Sequence, residues 1–450
     1  MFSMRRPWFC SALAAATCLL MAPAFGQQPV VTTTVIHAGR LIDGVATAAR
    51  ERVSIVVTGD RIQEVRDGFM PLPAGATLID LSRATVMPGL IDSHTHISGE
   101  GTENAIVKAV TLSPVDLAVR STAYAKRTLE AGFTTIRNLG AHGGADVALK
   151  KAINEGLVPG PRIWTARKSL SITGGHGDQG GLRPDLGPDP TWRDGIVDSP
   201  DEAAKAVRYQ HKYGADLIKF TATAGVLSIN DAGDVQQFSD AEMRTIVETA
   251  HTLGLKVAAH AHGKRGLEAA IRAGVDSIEH GTYLDDETIA LFKTHGTYYV
   301  PTILAGKTVA EMAKKPGALH PSVREKAARI GPLIQDSFRR AYQGGVKIAF
   351  GTDSGVSIHG DNWREFVYMV EVGMPPMEAI LSATRNAADL LGATDRIGSI
   401  QPARFADIIA VNGDPLADIS EMGRVTFVMK GGVVYKDQVT MAAAPTPAAR

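Results

Sequence analysis

The chain has 450 residues, 47 basic and 47 acidic, with 44% apolar and 21% charged positions. That length holds one large domain with an accessory domain, or two or three ordinary ones, and the composition is a normal globular balance, so disorder is not the default reading. Neither charge sign dominates, so nothing favours nucleic acid or an anionic membrane as a partner.

In chain order the first predicted element is a signal peptide over residues 1–26. Met1 to Pro7 carry Arg5 and Arg6, and Trp8 to Ala22 run apolar. Ala22-Pro23-Ala24 and Ala24-Phe25-Gly26 then place small residues at signal-peptidase spacing. The run is short for a membrane-spanning helix, an uncleaved anchor being the alternative. Export to a periplasmic or secreted location follows, with no membrane attachment after cleavage. Both cysteines, Cys10 and Cys18, lie in this segment, so the mature chain has neither disulfide nor thiolate metal ligand. Removing Arg5 and Arg6 from the 47 basic residues leaves 45 against 47 acidic, a net charge of −2.

Val35-Ile36-His37, Val53 to Val57 and Thr77-Leu78-Ile79 are short β-type runs, separated by turn signals at Asp43-Gly44 and Thr58-Gly59-Asp60. The pattern returns in Ala406 to Val411, Val425 to Met429 and Val433 to Tyr435. Residues 30–84 and 396–440 therefore read as one small β-sandwich domain built from both termini. Over 85–395 the sequence predicts eight strands alternating with helices. The strands fall at Thr85 to Ile91, Thr134 to Asn138, Arg162 to Ala166, Leu217 to Phe220, Lys256 to His260, Ser277 to Glu279, Tyr298 to Thr302 and Lys347 to Thr352. Helices are predicted over 201–213, 240–253 and 321–343, with Asp201 and Ser239 as N-caps and Gly214 and Gly254 as stops. This is an α/β pattern that predicts a (β/α)8 TIM-like barrel, an open doubly wound sheet being the alternative. The tail 441–450, rich in Ala and Pro, is expected to be disordered.

Residues of metal-ligand type recur at the predicted strand ends. Asp92, His94 and His96 alternate along one run and share a face. Two converging imidazoles hold one metal ion, or they are two loop histidines. Lys219 faces inward from its strand; a desolvated amine there combines with carbon dioxide to give an anionic carbamate, or the side chain reaches out to solvent. His260 and His262 form a second H-x-H, and His280 and Asp353 each end a strand. One such residue means little, but six from five strands are hard to assign to packing.

With these residues in view the chain resembles the amidohydrolase superfamily of metal-dependent hydrolases, from about Val35 to Tyr435. The matching positions are Pro88 to His96 (P-G-L-I-D-S-H-T-H), Lys219, His260, His280 and Asp353. Thr173 to Asp178 (T-G-G-H-G-D), His359 to Asn362 and Ala383 to Ala388 look most like the Xaa-Pro dipeptidase branch, which includes ochratoxin-hydrolysing amidases. The resemblance implies two divalent metal ions, Zn²⁺ favoured. His94, His96 and Asp353 would bind one, His260 and His280 the other, and carboxylated Lys219 would bridge them. It implies Asp353 as the proton-transferring catalytic group and His176 as the residue that polarises the scissile carbonyl. Strand parity does not separate His262 from His260; the family pattern favours His260. The implied substrate is a small amide, a dipeptide or N-acyl amino acid whose leaving group bears a carboxylate, with Arg167 and Lys168 as candidate partners for it. Cyclic-amide hydrolysis or deamination within the superfamily, and a non-catalytic periplasmic binding protein, are the alternatives. Homo-oligomerisation stays open.

Overall fold

The computed structural model describes residues 32–101, 105–178, 180–181, 183–186, 189–229 and 233–439. The predicted signal peptide and the tail 441–450 lie outside them. Strands β1 (Thr33–Leu41), β2 (Arg50–Thr58), β3 (Arg61–Asp67) and β4 (Thr77–Pro88) open the fold. A three-stranded parallel sheet follows, of β5 (Leu90–Thr95), β6 (Phe133–Asn138) and β7 (Arg162–Thr165). A four-stranded one comprises β8 (Leu217–Thr221), β9 (Lys256–Ala261), β10 (Ser277–His280) and β11 (Tyr298–Val300). The last strands, β12 (Ile408–Val411), β13 (Val425–Lys430) and β14 (Val433–Asp437), join the first four in one sheet ordered β14-β13-β12-β4-β1-β2-β3. β12 runs antiparallel to β4, with Ile408 opposite Pro88 and Val411 opposite Thr85.

This sheet buries alternate apolar side chains on one face, among them Ile36 and Ala38 on β1, Val53, Ile55 and Val57 on β2, and Phe427 and Met429 on β13. β3 reads R-I-Q-E-V-R-D and buries only Ile62, so its charges hid it from the sequence pattern. The strand predicted from Thr85 to Ile91 divides at Gly89: Thr85 to Pro88 finish β4, and β5 begins at Leu90. A Cβ at Gly89 would lie 2.1 Å from Thr134 Oγ1, so only glycine lets the chain pass there.

The two smaller sheets are linked by backbone hydrogen bonds outside regular strands. Leu170 N donates to Lys219 O (2.8 Å) and Thr221 N to Leu170 O (3.0 Å), joining β7 to β8. Tyr299 N donates to Lys347 O (2.8 Å), Ser93 N to Phe350 O (2.9 Å) and Asp353 N to His94 O (2.8 Å). The predicted strand Lys347 to Thr352 is thus reduced to isolated bridges at Ile348 and Ser354. Phe350 N turns away to Ser382 O (3.0 Å), and Asp353 takes a left-handed φ of 58°.

Helix ends follow local chemistry. Pro200–Lys212 is capped by Ser199, whose hydroxyl accepts from Glu202 N; Asp201 sits in the first turn instead of capping, because Pro200 fits the first helical position. Ser239 caps Asp240–Thr252 in a capping box with Glu242. The single helix predicted over 321–343 is two, Pro321–Ile330 and Leu333–Gln343, broken where Pro332 offers no amide hydrogen. No described helix is long and apolar enough to cross a membrane.

Candidate active site

His94 and His96 come from the end of β5, and Asp353 follows the irregular segment beside it. Asp353 Oδ1 lies 3.3 Å from His94 Nε2 and 3.2 Å from His96 Nε2. It is nonetheless buried and aligned for a hydrogen bond with neither. Three ligating atoms within 4.8 Å of one another thus face a common point, which suits a divalent cation held by nitrogen and oxygen. Burial pushes the Asp353 carboxyl up, but His94 and His96 outweigh it and hold it well below the usual carboxylate range.

Across the site lie His260 on β9, His262 just beyond it, and His280 at the end of β10. The His260 ring is 4.6 Å from His280 and 4.7 Å from His262 between centroids, and His280 is 5.0 Å from His94. Each has one nitrogen occupied. His260 Nε2 faces Ala224 O (3.2 Å), His262 Nδ1 faces Thr282 Oγ1 (2.7 Å), and His280 Nδ1 faces Thr302 Oγ1 (2.7 Å). His262, placed by sequence beside the site, is part of this cluster. Burial, reinforced by the neighbouring rings, pushes all three imidazoles below their ordinary range, which favours their neutral form. Lys219, inward on β8, is brought down to about 8 by burial, against the pull of Glu279 and Asp353.

His176 is held over this cluster, its ring stacked 4.2 Å from His260. Its Nδ1 meets Ser228 Oγ at 2.6 Å, and Lys326 ties down the Ser228 loop through the carbonyls of Gly225 (3.2 Å) and Ser228. Burial and then Lys219 push His176 down to about 4.

Beneath the histidines runs a network that sequence reasoning did not find. Glu279 Oε2 accepts from His94 Nδ1 at 2.8 Å, which aims His94 Nε2 at Asp353. Its other oxygen pairs with Arg137 Nη2 at 2.8 Å, and Arg137 also donates to Ser277 Oγ (2.9 Å) and Ser93 O. Burial raises the Glu279 carboxyl, yet Arg137 and His94 together bring it down to about 2. Asp92 accepts from His94 N, Thr352 Oγ1 and Asn362 Nδ2 and so joins β5 to the Asp353 segment. His280, Thr302 and Asp353 have φ of 71°, 55° and 58°, a strained conformation for side-chain-bearing residues. Repeated left-handed turns at strand ends are not legible in residue types.

The cluster opens into a cavity of about 790 Å³ with apolar walls that include Leu112, Leu117, Tyr124, Val226, Leu227 and Val309. Lys168 lines it; Arg167 does not, its guanidinium lying 5.4 Å from the Tyr213 ring and 5.9 Å from that of Tyr209.

Strand-end histidines, an inward lysine and a terminal aspartate above parallel strands define a metal-hydrolase type of site. The chain belongs to the amidohydrolase family, whose model matches residues 85–435, a family typically dependent on metals. It is 36% identical over 433 residues to ochratoxinase of Aspergillus niger, covering 90% of this chain and 86% of that one. A crystal structure of a Xaa-Pro dipeptidase with bound methionine in the active site matches with TM-score 0.88 at 46% identity, covering 90% of this chain and all of that one. A prolidase complexed with N-methylphosphonate-L-proline matches with TM-score 0.83 at 34% identity, over 90% of this chain and all of that one. The protein is accordingly a hydrolase acting on amide bonds.

Proposed function

We propose that the chain is a binuclear metal-dependent amidohydrolase that cleaves the amide bond of a dipeptide or N-acyl amino acid, ochratoxin-type amides included. The observation that carries this reading is the convergence of His94 Nε2, His96 Nε2 and Asp353 Oδ1 without hydrogen-bond alignment. We assign these residues to one ion, His260 and His280 to a second, and Lys219 as a carbamate between them, with Zn²⁺ the favoured metal for an all-nitrogen-and-oxygen set. When bound, such ions supply Lewis acidity, acidifying water and drawing charge from a carbonyl oxygen.

The chain's own groups do the rest. Asp353, held ionised, accepts the proton that the attacking water loses and returns it to the leaving amine. With Ser228 Oγ donating to Nδ1, His176 keeps its hydrogen on Nε2 and donates it to the carbonyl oxygen. The apolar walls exclude bulk water and favour an apolar acyl or side-chain group. The names of the relatives, a Xaa-Pro dipeptidase, a prolidase and an ochratoxinase, favour an amino-acid leaving group over a nucleobase.

The same reading takes the bridges at Leu170, Ile348 and Ser354 as closure of a (β/α)8 barrel over 85–395, and the seven-stranded sheet as the composite β-sandwich domain. It takes residues 1–26 as a cleaved export signal, which N-terminal sequencing of native material tests. Elemental analysis of metal-replete protein should give about two equivalents, and N-acyl amino acids or Xaa-Pro dipeptides should release free amino acid. Efficient nucleobase deamination without amide hydrolysis overturns the reading, and one equivalent in fully active protein removes the bridging role of Lys219.

A further inference from the structure

We infer that Glu365 is a positioning residue for His280: it caps the helix Ile303–Ala313 from a distance and so leaves the Thr302 hydroxyl free to aim the His280 ring. This rests on the two-ion reading, in which His280 is a ligand. It adds to that reading a buried acid whose hydrogen bonds go to none of the ligand-type residues.

A helix needs acceptors for its first amides, and the residue before it ordinarily supplies one from its side chain. Thr302 stands at that position and is a residue type suited to it, yet it makes no such bond. Its φ of 55° and ψ of 44° are left-handed, where a cap is usually extended. The hydroxyl is committed elsewhere: it donates to Pro301 O at 2.6 Å and meets His280 Nδ1 at 2.7 Å. A hydroxyl has a single hydrogen, so Thr302 Oγ1 must accept from His280. The His280 hydrogen therefore sits on Nδ1, and Nε2 keeps a lone pair for a cation.

The amides that Thr302 leaves without an acceptor are taken by Glu365. Its Oε1 accepts from Ile303 N at 2.8 Å and its Oε2 from Leu304 N at 2.7 Å. Glu365 is fully buried and comes from another helix, Arg364–Glu371. An ionised carboxylate suits the positive end of a helix dipole as well as its free amides. With both oxygens engaged, it pins the two residues that directly follow Thr302. Thr302 is otherwise held by its own amide, which donates to Gly351 O at 3.1 Å. A left-handed threonine is strained and persists only where its neighbours fix it. Without Glu365, the amides of Ile303 and Leu304 would compete for the Thr302 hydroxyl. Its return to the ordinary capping position would release His280 Nδ1.

Burial raises the Glu365 carboxyl to about 8 against the pull of the two amides. The test is therefore run at about pH 9, where the carboxyl is ionised and the imidazoles are neutral. In metal-free protein with isotope-labelled histidine, nitrogen NMR should place the His280 hydrogen on Nδ1. The signal is assigned by its loss in His280→Asn. Glu365→Gln keeps the shape but has a single acceptor oxygen, and should give a mixture of tautomers. In metal-loaded protein, chelator competition should show one of the two equivalents weakened about tenfold, as for Thr302→Val. Glu365→Gln combined with Thr302→Val should be no weaker than Thr302→Val alone, because both act through one hydroxyl. A Glu365→Gln protein that loses stability but keeps the Nδ1 tautomer and both affinities overturns the inference, since a plain helix cap predicts that result. Additive losses in the double variant overturn it too. So does hydrogen on Nε2 in the unaltered protein, a result that needs no variant to fold. Should Glu365→Gln not fold, Glu365→Asp, one methylene shorter, is read by the same criteria. Metal content of the unaltered protein is scored separately: fewer than two equivalents, with the tautomer still tied to Glu365, sinks the two-ion reading alone.

Discussion

The two halves of the histidine cluster are supported by different chemistry. His94 is oriented by a carboxylate, Glu279, and shares its centre with another, Asp353. His260, His262 and His280 are oriented by a backbone carbonyl and two threonine hydroxyls, all neutral. The first half therefore brings its own negative charge to a cation and the second brings none. On the binuclear reading proposed above, a dication among these neutral imidazoles would need an anion, and a carbamate of Lys219 would supply it.

The largest effect should come from removing that group. Lys219→Ala should lose metal and activity together, by on the order of 10³-fold or more. Millimolar acetate or propionate, supplying the missing carboxylate, should partly restore both, whereas His94→Ala should not respond. A folded Lys219→Ala protein with both metals and near-normal turnover would erase the distinction between the halves. Next, Glu279→Gln should cost about 3–5 kcal/mol in unfolding free energy, because Arg137 is left buried without its counter-charge. Since the Glu279 carboxyl is depressed from 4.5 to about 2, its stabilisation is complete above the ordinary carboxyl range and is lost as pH falls toward 2. The gap between variant and parent, followed by denaturant unfolding, should narrow over that window.

Smaller effects sharpen the comparison. With the metal-free Lys219 amine at about 8, its neutral, carbon-dioxide-reactive fraction falls roughly 25-fold between about pH 8.5 and 6.5. At a fixed concentration of dissolved carbon dioxide, recovery of activity from metal-free protein should slow by about that factor; a pH-independent recovery would argue against carbamate formation. The smallest change is expected for Thr302→Val, which frees His280 Nδ1. Metal affinity should fall about tenfold, and competition with a chelator should show one of the two equivalents affected.

Much of this site was legible because its residues lie on or just after predicted strands. His94, His96, Lys219, His260, His280 and Asp353 line one cavity, and the His176 ring is stacked on His260. What supports them was not legible. Alternation puts Glu279 and His280 on opposite faces, but the φ of 71° at His280 turns its ring into the site while Glu279 stays in the interior. Arg137 reads as an unremarkable residue in T-T-I-R-N until Ser277 and Glu279, about 140 positions away, supply its partners. In the fold, strand alternation recovered the small sheet except for charged β3. The segment 347–354 read as a strand because apolar content does not reveal that Phe350 bonds elsewhere.

The position of β12 bears on how the molecule is made. β4 finds its second neighbour some 320 residues later in the chain, and Gly89, the hinge into β5, donates to Asp407 O at 2.8 Å. During synthesis the strand leading into His94 therefore waits with one edge bare until almost the whole polypeptide has emerged. A product stopped near residue 400 would contain all six clustered ligand-type residues and still lack the strand that completes the sheet beneath them. The segment that carries His94 is thus completed by a strand, β12, drawn from the far end of the described chain.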